Sequence, residues 1–205
     1  MRIAIIGTGN VGGALASKWA HAGHQVTLGV RNTTEFKGKE LLNNKNISVA
    51  EIEEAVKKSD VILIAAVPQA TADIVKLMGD ISGKIIIDAM NSVRTKPEGF
   101  NNSFEALKSL ASGAEIVKCF NCVGFNVMAD TNFNGTKADM YMAGSSERAK
   151  EVAKQLALDA GFENCYNFGN DDKAALLEQF ALSWINLAMM QGQGREMMFK
   201  LIKRA

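Results

Sequence analysis

The sequence predicts an α/β fold with a doubly wound, mostly parallel sheet and a small C-terminal helical appendage. Short apolar runs alternate along the chain with longer segments of helical periodicity, and this alternation is typical of βαβ units. The runs VILIAAV and KIIID are apolar without interruption, as expected of strands that helices cover on both faces. Both observations favour a parallel sheet over a sandwich or a helical bundle.

The apolar runs predict the strands of this sheet. They are Arg2–Ile6, Gln25–Val30, Val61–Val67, Lys84–Ala89, Glu115–Asn121, Asp139–Ala143 and Asn164–Phe168. Helices are predicted between the strands, and several of them end at a glycine, which adopts a left-handed C-cap at low cost. They are Val11–Ala22, a weaker Glu35–Asn43, Val49–Lys58, Ala70–Met78, Phe104–Ala111 and Glu147–Asp159.

The C-terminal end has a different pattern. A long helix is predicted from Asp171 to about Gln191, followed by the turn GQG and a second helical piece, Glu196–Lys203. The long helix carries almost no charge, and a helix that is apolar around most of its circumference is buried on several sides. In a chain of this size we expect a second subunit to supply the missing cover, hence a homodimer.

Composition excludes several classes of protein. The 205 residues are 47% apolar and carry a net charge of +1 with no basic run, which gives no electrostatic reason to expect a nucleic acid or an anionic membrane as partner. The chain enters its first strand directly, and no signal segment is recognisable. Its longest uncharged stretch, Gln179–Gly194, is shorter than the roughly 20 residues that span a bilayer. We therefore expect a soluble cytoplasmic protein.

A glycine-rich loop follows the first strand. GTGNVG matches G-x-G-x-x-G and stands between a strand and a helix, which is the context that dinucleotide binding requires. Gly7 permits the tight turn, Gly9 lets the backbone approach a pyrophosphate, and Gly12 lets the helix pack closely on the strand. This predicts a Rossmann-type domain. Its phosphate-binding residues are Gly7, Thr8, Gly9, Asn10, Val11 and Gly12.

The end of the second strand indicates which dinucleotide binds. NAD enzymes place an acid there to bind the ribose hydroxyls, whereas NADP enzymes replace it with a cation. Here the strand HQVTLGV contains no carboxylate at its end and is followed by Arg31 and Asn32. We therefore expect NADP(H), although an Arg31 that only faces solvent is the alternative.

The chain resembles the F420-dependent NADP oxidoreductase family in five stretches taken together. These are GTGNVG, the strand-end GVRN, AVP at 66–68, KCFNCVG and the MMQGQG ending. The chain is similar also to the nucleotide-binding domain of STEAP metalloreductases. The resemblance implies that Thr8 and Arg31 contact the 2′-phosphate with help from Asn32, and Val30 stands where the family often has serine. It further implies a division into an NADP-binding Rossmann domain, 1–168, and a C-terminal segment, 169–205, at the acceptor site and dimer contact.

In doubly wound folds, ligands bind beyond the carboxyl ends of the strands. This rule places Ala66, Val67, Pro68 and Asn91 around the nicotinamide, and Asn121 closest to the acceptor. Pro68 as a rigid loop start and Asn91 as a turn residue are equally good structural explanations.

We find no convincing lysine or histidine to act as an acid near the strand ends, and therefore assign no catalytic residue. His21 and His24 lack a third ligand, so we expect no metal site. Cys119 and Cys122 have C-x-x-C spacing, but residues three apart in a strand point to opposite faces, so we expect core packing.

The predicted activity is hydride transfer between NADPH and a flavin-like or deazaflavin (F420-type) acceptor. Such a transfer proceeds by holding two rings face to face, because the cofactors carry the chemistry. The partner is then a small-molecule redox acceptor, with a flavin or F420 as co-substrate. Two alternatives stay open, a small imine or hydroxy-acid reductase and a non-catalytic module that senses NADP.

Overall fold

The structure is a computed structural model that describes residues 1–204, so Ala205 of the predicted C-terminal segment lies outside it. Its strands are β1 Arg2–Ile6, β2 Gln25–Val30, β3 Ile47–Glu51, β4 Val61–Ile64, β5 Ile85–Asp88, β6 Glu115–Cys119, β7 Asn132–Phe133, β8 Thr136–Lys137, β9 Asp139–Ala143 and β10 Asn164–Asn167. Its helices are α1 Asn10–His21, α2 Ile52–Lys57, α3 Thr71–Leu77, α4 Ser103–Leu110, α5 Phe125–Ala129, α6 Glu147–Asp159 and α7 Ala174–Ile185. Short 3₁₀ turns lie at Lys39–Asn43, Pro68–Ala70 and Asp171–Lys173, and a π-helical turn, Asn186–Met190, extends α7.

Eight strands form one sheet in the order β10-β9-β6-β5-β4-β1-β2-β3. Neighbours run parallel except at β6–β9, where the pairing is antiparallel. Strands β7 and β8 pair separately as a small hairpin. The predicted fold class, a doubly wound and mostly parallel sheet, is confirmed.

The sheet is buried on both faces because its central strands are mostly apolar, with all four residues of β4 and Ile3–Ile6 of β1 buried and apolar. On one face, Ile3 and Ile5 pack with α1 and α6, and Trp19 of α1 donates a hydrogen bond to the Leu156 carbonyl over 2.8 Å. On the other face, Ala4 and Ile6 pack with α2, α3 and α4. Each large apolar side chain buried in this way contributes about 1.5–3 kcal/mol to folding.

The predicted helix Val49–Lys58 is wrong in its first part. Residues Ile47–Glu51 form β3, which pairs in parallel with β2, and the helix begins only at Ile52. Hydrogen bonding to the edge of an existing sheet overrides the local helical pattern. The short helix α5 was not predicted, because five residues give too little periodicity.

The second predicted helical piece, Glu196–Lys203, is also wrong, because this segment has no helix. It lies instead against the β9 end of the sheet. Tyr141 donates a hydrogen bond to the Phe199 carbonyl over 3.3 Å, and Lys200 pairs with Asp139 at 3.2 Å and with Glu163. Contacts made outside the segment therefore decide its conformation. The predicted long helix is present as a continuous helical path from Asp171 to Met190.

Candidate functional site

The carboxyl ends of six parallel strands lie at one edge of the sheet, and the predicted site residues follow them. In spatial order from β3 to β6, the strand ends carry Arg31 and Asn32, then the glycine loop, then Ala66–Pro68, then Asn91, then Asn121. The glycine loop occupies the middle of this edge. A long ligand bound across it can contact residues on both sides.

The three glycines of the loop differ in what a side chain at each position would contact. Gly7 has φ +98°, and a Cβ there would lie 2.4 Å from the Ala65 carbonyl oxygen. A Cβ on Gly12 would lie 1.9 Å from the Gly7 carbonyl oxygen, so only glycine lets α1 start against the turn. A Cβ on Gly9 would contact nothing within 4 Å, so the backbone there is open to a ligand.

Helix α1 begins at this loop without a capping side chain. Its N-cap is Gly9, no side chain accepts a hydrogen bond from the first turn, and the first turn has no acidic residue. Asn10 is exposed and Thr8 and Val11 are half-buried. The backbone N–H groups and the positive end of the helix dipole are therefore available to an anion.

Arg31 lies in a cleft of about 430 Å³ that we call the β2–β3 cleft. The cleft is lined by Val30, Arg31, Glu51, Ile52, Glu53, Lys76, Leu77 and Gly79. Asn32 lies beside it and accepts hydrogen bonds at Oδ1 from the Thr34 backbone and hydroxyl over 2.9 and 2.8 Å. This turn leaves the amide NH₂ of Asn32 as its available donor.

A second cleft of about 420 Å³, the β4–β5 cleft, lies between the strand ends and the C-terminal helix. It is lined by Ala66, Val67, Pro68, Asn91, Val93, Arg94, Thr95, Ile185, Met189 and Arg195. Val67 is apolar and yet 64% exposed. Its side chain is therefore available to pack against a flat ring of a ligand. Arg94 and Arg195 are the charged residues of this lining, so the cleft is positive.

Asn91 and Asn121 form a reciprocal pair. The Asn91 amide donates to the Asn121 carbonyl over 2.8 Å, and the Asn121 amide donates to Asn91 Oδ1 over 3.0 Å and to the Leu177 carbonyl over 3.1 Å. Asn121 is only 3% exposed and does not line the β4–β5 cleft, whereas Asn91 does. Asn121 therefore orients Asn91 and ties it to α7.

Phe120 sets the direction of Asn121. It has φ 64°, which is unusual for a bulky residue, and its buried ring packs edge-on against Trp19 with centroids 5.6 Å apart. This backbone conformation follows directly after β6. It turns the chain so that Asn121 meets Asn91.

A buried ionic cluster joins β5, β6 and α7 next to the segment that carries Asn91, and sequence reasoning missed it. Lys118 of β6 is fully buried and lies 2.9 Å from Asp88 and 2.7 Å from Glu178 of α7. It donates a hydrogen bond to the Met90 carbonyl, and Glu178 accepts one from the Ser92 backbone. The cluster thus fixes the segment that carries Asn91 and joins it to the C-terminal helix.

The charge state of Lys118 follows from these partners. Burial alone lowers the pKa of its ammonium, but the charges of Asp88 and Glu178 outweigh burial, so the net shift is upward. Lys118 is therefore a cation at neutral pH. A lysine with no solvent contact does not reach a substrate, so it holds the site rather than acting as its acid.

Trp184 of α7 is buried against the chain that follows the KCFN segment. A Cβ on Gly124 would lie 2.7 Å from its ring, and its indole N–H donates to the Met197 carbonyl over 2.8 Å. Trp184 is therefore part of the packed core.

The cysteines are also buried. Burial raises the pKa of the Cys119 and Cys122 thiols, so neither is a reactive thiolate. The sulfur of the buried Cys165 lies 4.0 Å from that of Cys119.

A group of candidate metal ligands and an apolar helix of membrane-spanning length are both absent from residues 1–204. No group of three or more His, Cys, Asp or Glu side chains in this range has an arrangement that fits a metal ion. No helix within the same range has the length and apolar character needed to cross a membrane.

Residues 2–92 match the family NADP oxidoreductase coenzyme F420-dependent. Metalloreductase STEAP3 of Rattus norvegicus is 25% identical over 162 residues, which is 78% of this chain and 32% of that protein. These matches confirm the family resemblance that the motifs indicate. The chain spans about a third of the rat protein's length.

Glycerol-3-phosphate dehydrogenase [NAD(P)+] of Thermoanaerobacter sp. (strain X514) is 26% identical over 216 aligned positions, covering 86% of this chain and 64% of that protein. Among solved structures, a protein of Arthrobacter sp. FB24, named provisionally as an F420 dependent NADP-reductase, superposes with a TM-score of 0.86. It is 22% identical and covers 99% of this chain and 100% of that chain, so this likeness concerns the fold.

Proposed function

We propose that this chain is an NADP(H)-dependent oxidoreductase that exchanges hydride between NADPH and a flavin-like or deazaflavin acceptor such as F420. One observation carries the proposal. A glycine loop opening a helix separates two clefts along the carboxyl edge of a parallel sheet. This arrangement fits an extended dinucleotide with its pyrophosphate at the loop.

The dinucleotide would lie with its adenosine half in the β2–β3 cleft and its nicotinamide in the β4–β5 cleft. Gly7–Gly12 would hold the pyrophosphate through backbone N–H groups, and Thr8, Arg31 and Asn32 would hold the 2′-phosphate. Ala66, Val67 and Pro68 would form the wall against the nicotinamide ring.

Asn91 would donate to the carboxamide end of the nicotinamide, and Asn121 would hold Asn91 in place. The other residues of the predicted set would contact the dinucleotide itself. In this arrangement Asn121 acts through Asn91.

The chemistry of the β4–β5 cleft favours a ring acceptor that needs no proton donor. Its lining has no carboxylate, histidine or lysine, whereas reduction of a ketone to an alcohol requires a proton for the alkoxide. Arg94 and Arg195 favour an acceptor with anionic substituents and disfavour a cationic iminium. Transfer between two stacked rings depends instead on their alignment.

The C-terminal segment beyond residue 168 would complete the acceptor site and form the contact of a homodimer. Ile185, Met189 and Arg195 line the β4–β5 cleft from this segment. Leu176, Leu187 and Met190 are 51%, 37% and 62% exposed on the same helical path, so a partner subunit would cover apolar surface there.

A stopped-flow screen of NADPH oxidation tests the acceptor. The purified chain is mixed with NADPH and F420, FMN, FAD, riboflavin or a ferric chelate, and absorbance at the nicotinamide band is followed. We expect turnover with an anionic ring acceptor and less with riboflavin, which lacks phosphate. A chain that binds NADPH tightly but oxidises it with none of these would be a sensing module. Turnover with a ketone or an imine alone would favour the reductase alternative.

Arg31→Ala tests the cofactor half. A charge-assisted hydrogen bond contributes about 1.5–3 kcal/mol, so NADPH affinity should fall about 10- to 100-fold while NADH affinity changes little. Lys58→Ala removes another surface cation, one paired with Glu54, and is the matched control. Titration of intrinsic fluorescence measures both dinucleotides. An equal loss for NADPH and NADH contradicts a 2′-phosphate role.

A further inference from the structure

The β2–β3 cleft contains a carboxylate that the end of β2 lacks. Val30, the last residue of β2, is the register partner of Glu51, the last residue of β3. Neighbouring strands lie about 4.8 Å apart, so Glu51 stands next to the strand end that precedes Arg31. The side chains of Glu51 and Arg31 are both exposed and line the same cleft.

The Glu51 carboxylate is not used by the fold. It is the N-cap residue of α2, but its side chain accepts no capping hydrogen bond. Within residues 1–204 it makes no ion pair and no side-chain hydrogen bond, whereas Glu54 on the next turn pairs with Lys58 at 3.0 Å. Its charge is therefore available to a ligand in the cleft.

We propose that Glu51 determines dinucleotide choice together with Arg31, so that the chain accepts NAD(H) as well as NADP(H). The inference rests on the proposed function, because it concerns the adenosine half of the same ligand. A carboxylate accepts hydrogen bonds from the vicinal hydroxyls of the NAD(H) ribose and repels the 2′-phosphate of NADP(H). Arg31 has the opposite preference, since it attracts the phosphate.

The acid thus reaches the cleft from the neighbouring strand rather than from the end of β2. Dinucleotide choice is a difference between two affinities, and removing a repulsive group changes it as much as adding an attractive one. The cleft is also lined by Glu53 and Lys76, whose opposite charges offset each other, so without Glu51 the charge of Arg31 would favour the phosphorylated dinucleotide. With Glu51 beside it, the two affinities lie closer together.

The test compares Glu51→Gln with Arg31→Ala by calorimetric titration of NADPH and NADH. The fragments 2′-phospho-ADP-ribose and ADP-ribose are titrated in parallel, so that the result is independent of the nicotinamide and the acceptor. Glu51→Gln should tighten NADPH about fivefold, the scale of one charge interaction in a solvent-exposed cleft, and weaken NADH about two- to fivefold. Arg31→Ala should move the affinity ratio in the opposite direction.

Glu54→Gln makes the same chemical change one turn away and should leave both affinities unchanged. The gain of Glu51→Gln for NADPH should shrink from 50 to 500 mM salt, because the repulsion that it removes is screened. A structural disturbance of β3 would instead weaken both dinucleotides and lower the melting temperature.

If Glu51→Gln leaves the ratio of NADPH affinity to NADH affinity unchanged in a chain that binds NADPH, the role of Glu51 is overturned. The proposed function then still stands. A wild-type chain that binds NADPH and shows no measurable affinity for NADH overturns dual use. A wild-type chain that binds neither dinucleotide overturns the proposed function itself.

Discussion

Replacement of Lys118 by methionine removes the cation from the buried cluster and keeps nearly the same side-chain volume. Asp88 and Glu178 then remain buried with no cation between them. Asp88 keeps the hydrogen bond from Ser103 at 2.8 Å, and Glu178 keeps the one from Ser92 at 2.7 Å. Neither donor supplies a positive charge.

The expected loss follows from the burial of the cluster. Lys118 and Asp88 have side-chain exposures of 0%, and Glu178 has 8%. Removing one partner of a buried ion pair costs about 3–5 kcal/mol, because the remaining charges are left uncompensated. Native domains are stable by only about 5–15 kcal/mol, so this loss is a large fraction. With an m-value of about 2 kcal/mol per molar urea, the midpoint should fall by about 2 M.

The loss of folding stability should depend on pH in a direction that follows from the buried charges. Without the lysine, two carboxylates would stay buried close together with no cation between them, so the folded state favours binding of a proton by the pair. The folded state then binds more protons than the unfolded state, so stability falls as pH rises between about 4 and 7. In the wild-type chain the raised pKa of Lys118 stabilises the fold below about pH 10.5, and this contribution is lost only at higher pH.

Urea unfolding followed by circular dichroism at pH 5 and pH 7.5 measures both effects. Lys150→Met is the matched control, because Lys150 is also buried along its stem but pairs with Glu147, whose side chain is 78% exposed. Such a pair contributes about 0–1 kcal/mol. A Lys118→Met chain as stable as Lys150→Met, or one whose deficit is equal at both pH values, would refute the electrostatic argument.

Further predictions concern the glycine loop and the thiols. Gly12→Ala should unfold at a markedly lower temperature and lose dinucleotide binding, since its Cβ would lie 1.9 Å from the Gly7 carbonyl oxygen. Gly13→Ala in the same helix meets side-chain and backbone atoms only at 3.8 Å or more and should be neutral or stabilise by up to about 1 kcal/mol; equal melting temperatures would contradict the steric reason. Because burial raises the pKa of Cys119 and Cys122, Ellman's reagent at pH 8 should label the native chain slowly and label three thiols after denaturation. Rapid labelling of one native thiol would show that it is accessible.

The sequence by itself determined the βαβ order, the parallel sheet and the phosphate loop. These features depend on local properties. Uninterrupted apolar runs must be covered on both faces, and glycine is required wherever a Cβ would clash within a few residues, as at Gly7 and Gly12. The bounds of β1, β2 and β9 were predicted to the residue for the same reason.

Only the tertiary structure decided which side chains meet. Glu51 stands beside Arg31 because β3 pairs with β2 in a register that no local pattern indicates, and the segment had been predicted as a helix. Lys118 and Glu178 are 60 positions apart and look like ordinary charges until the fold removes both from water. Asn121 orients Asn91 because the left-handed Phe120 turns the chain towards it. Long-range strand pairing and burial create these contacts, and neither can be predicted from a window of neighbouring residues.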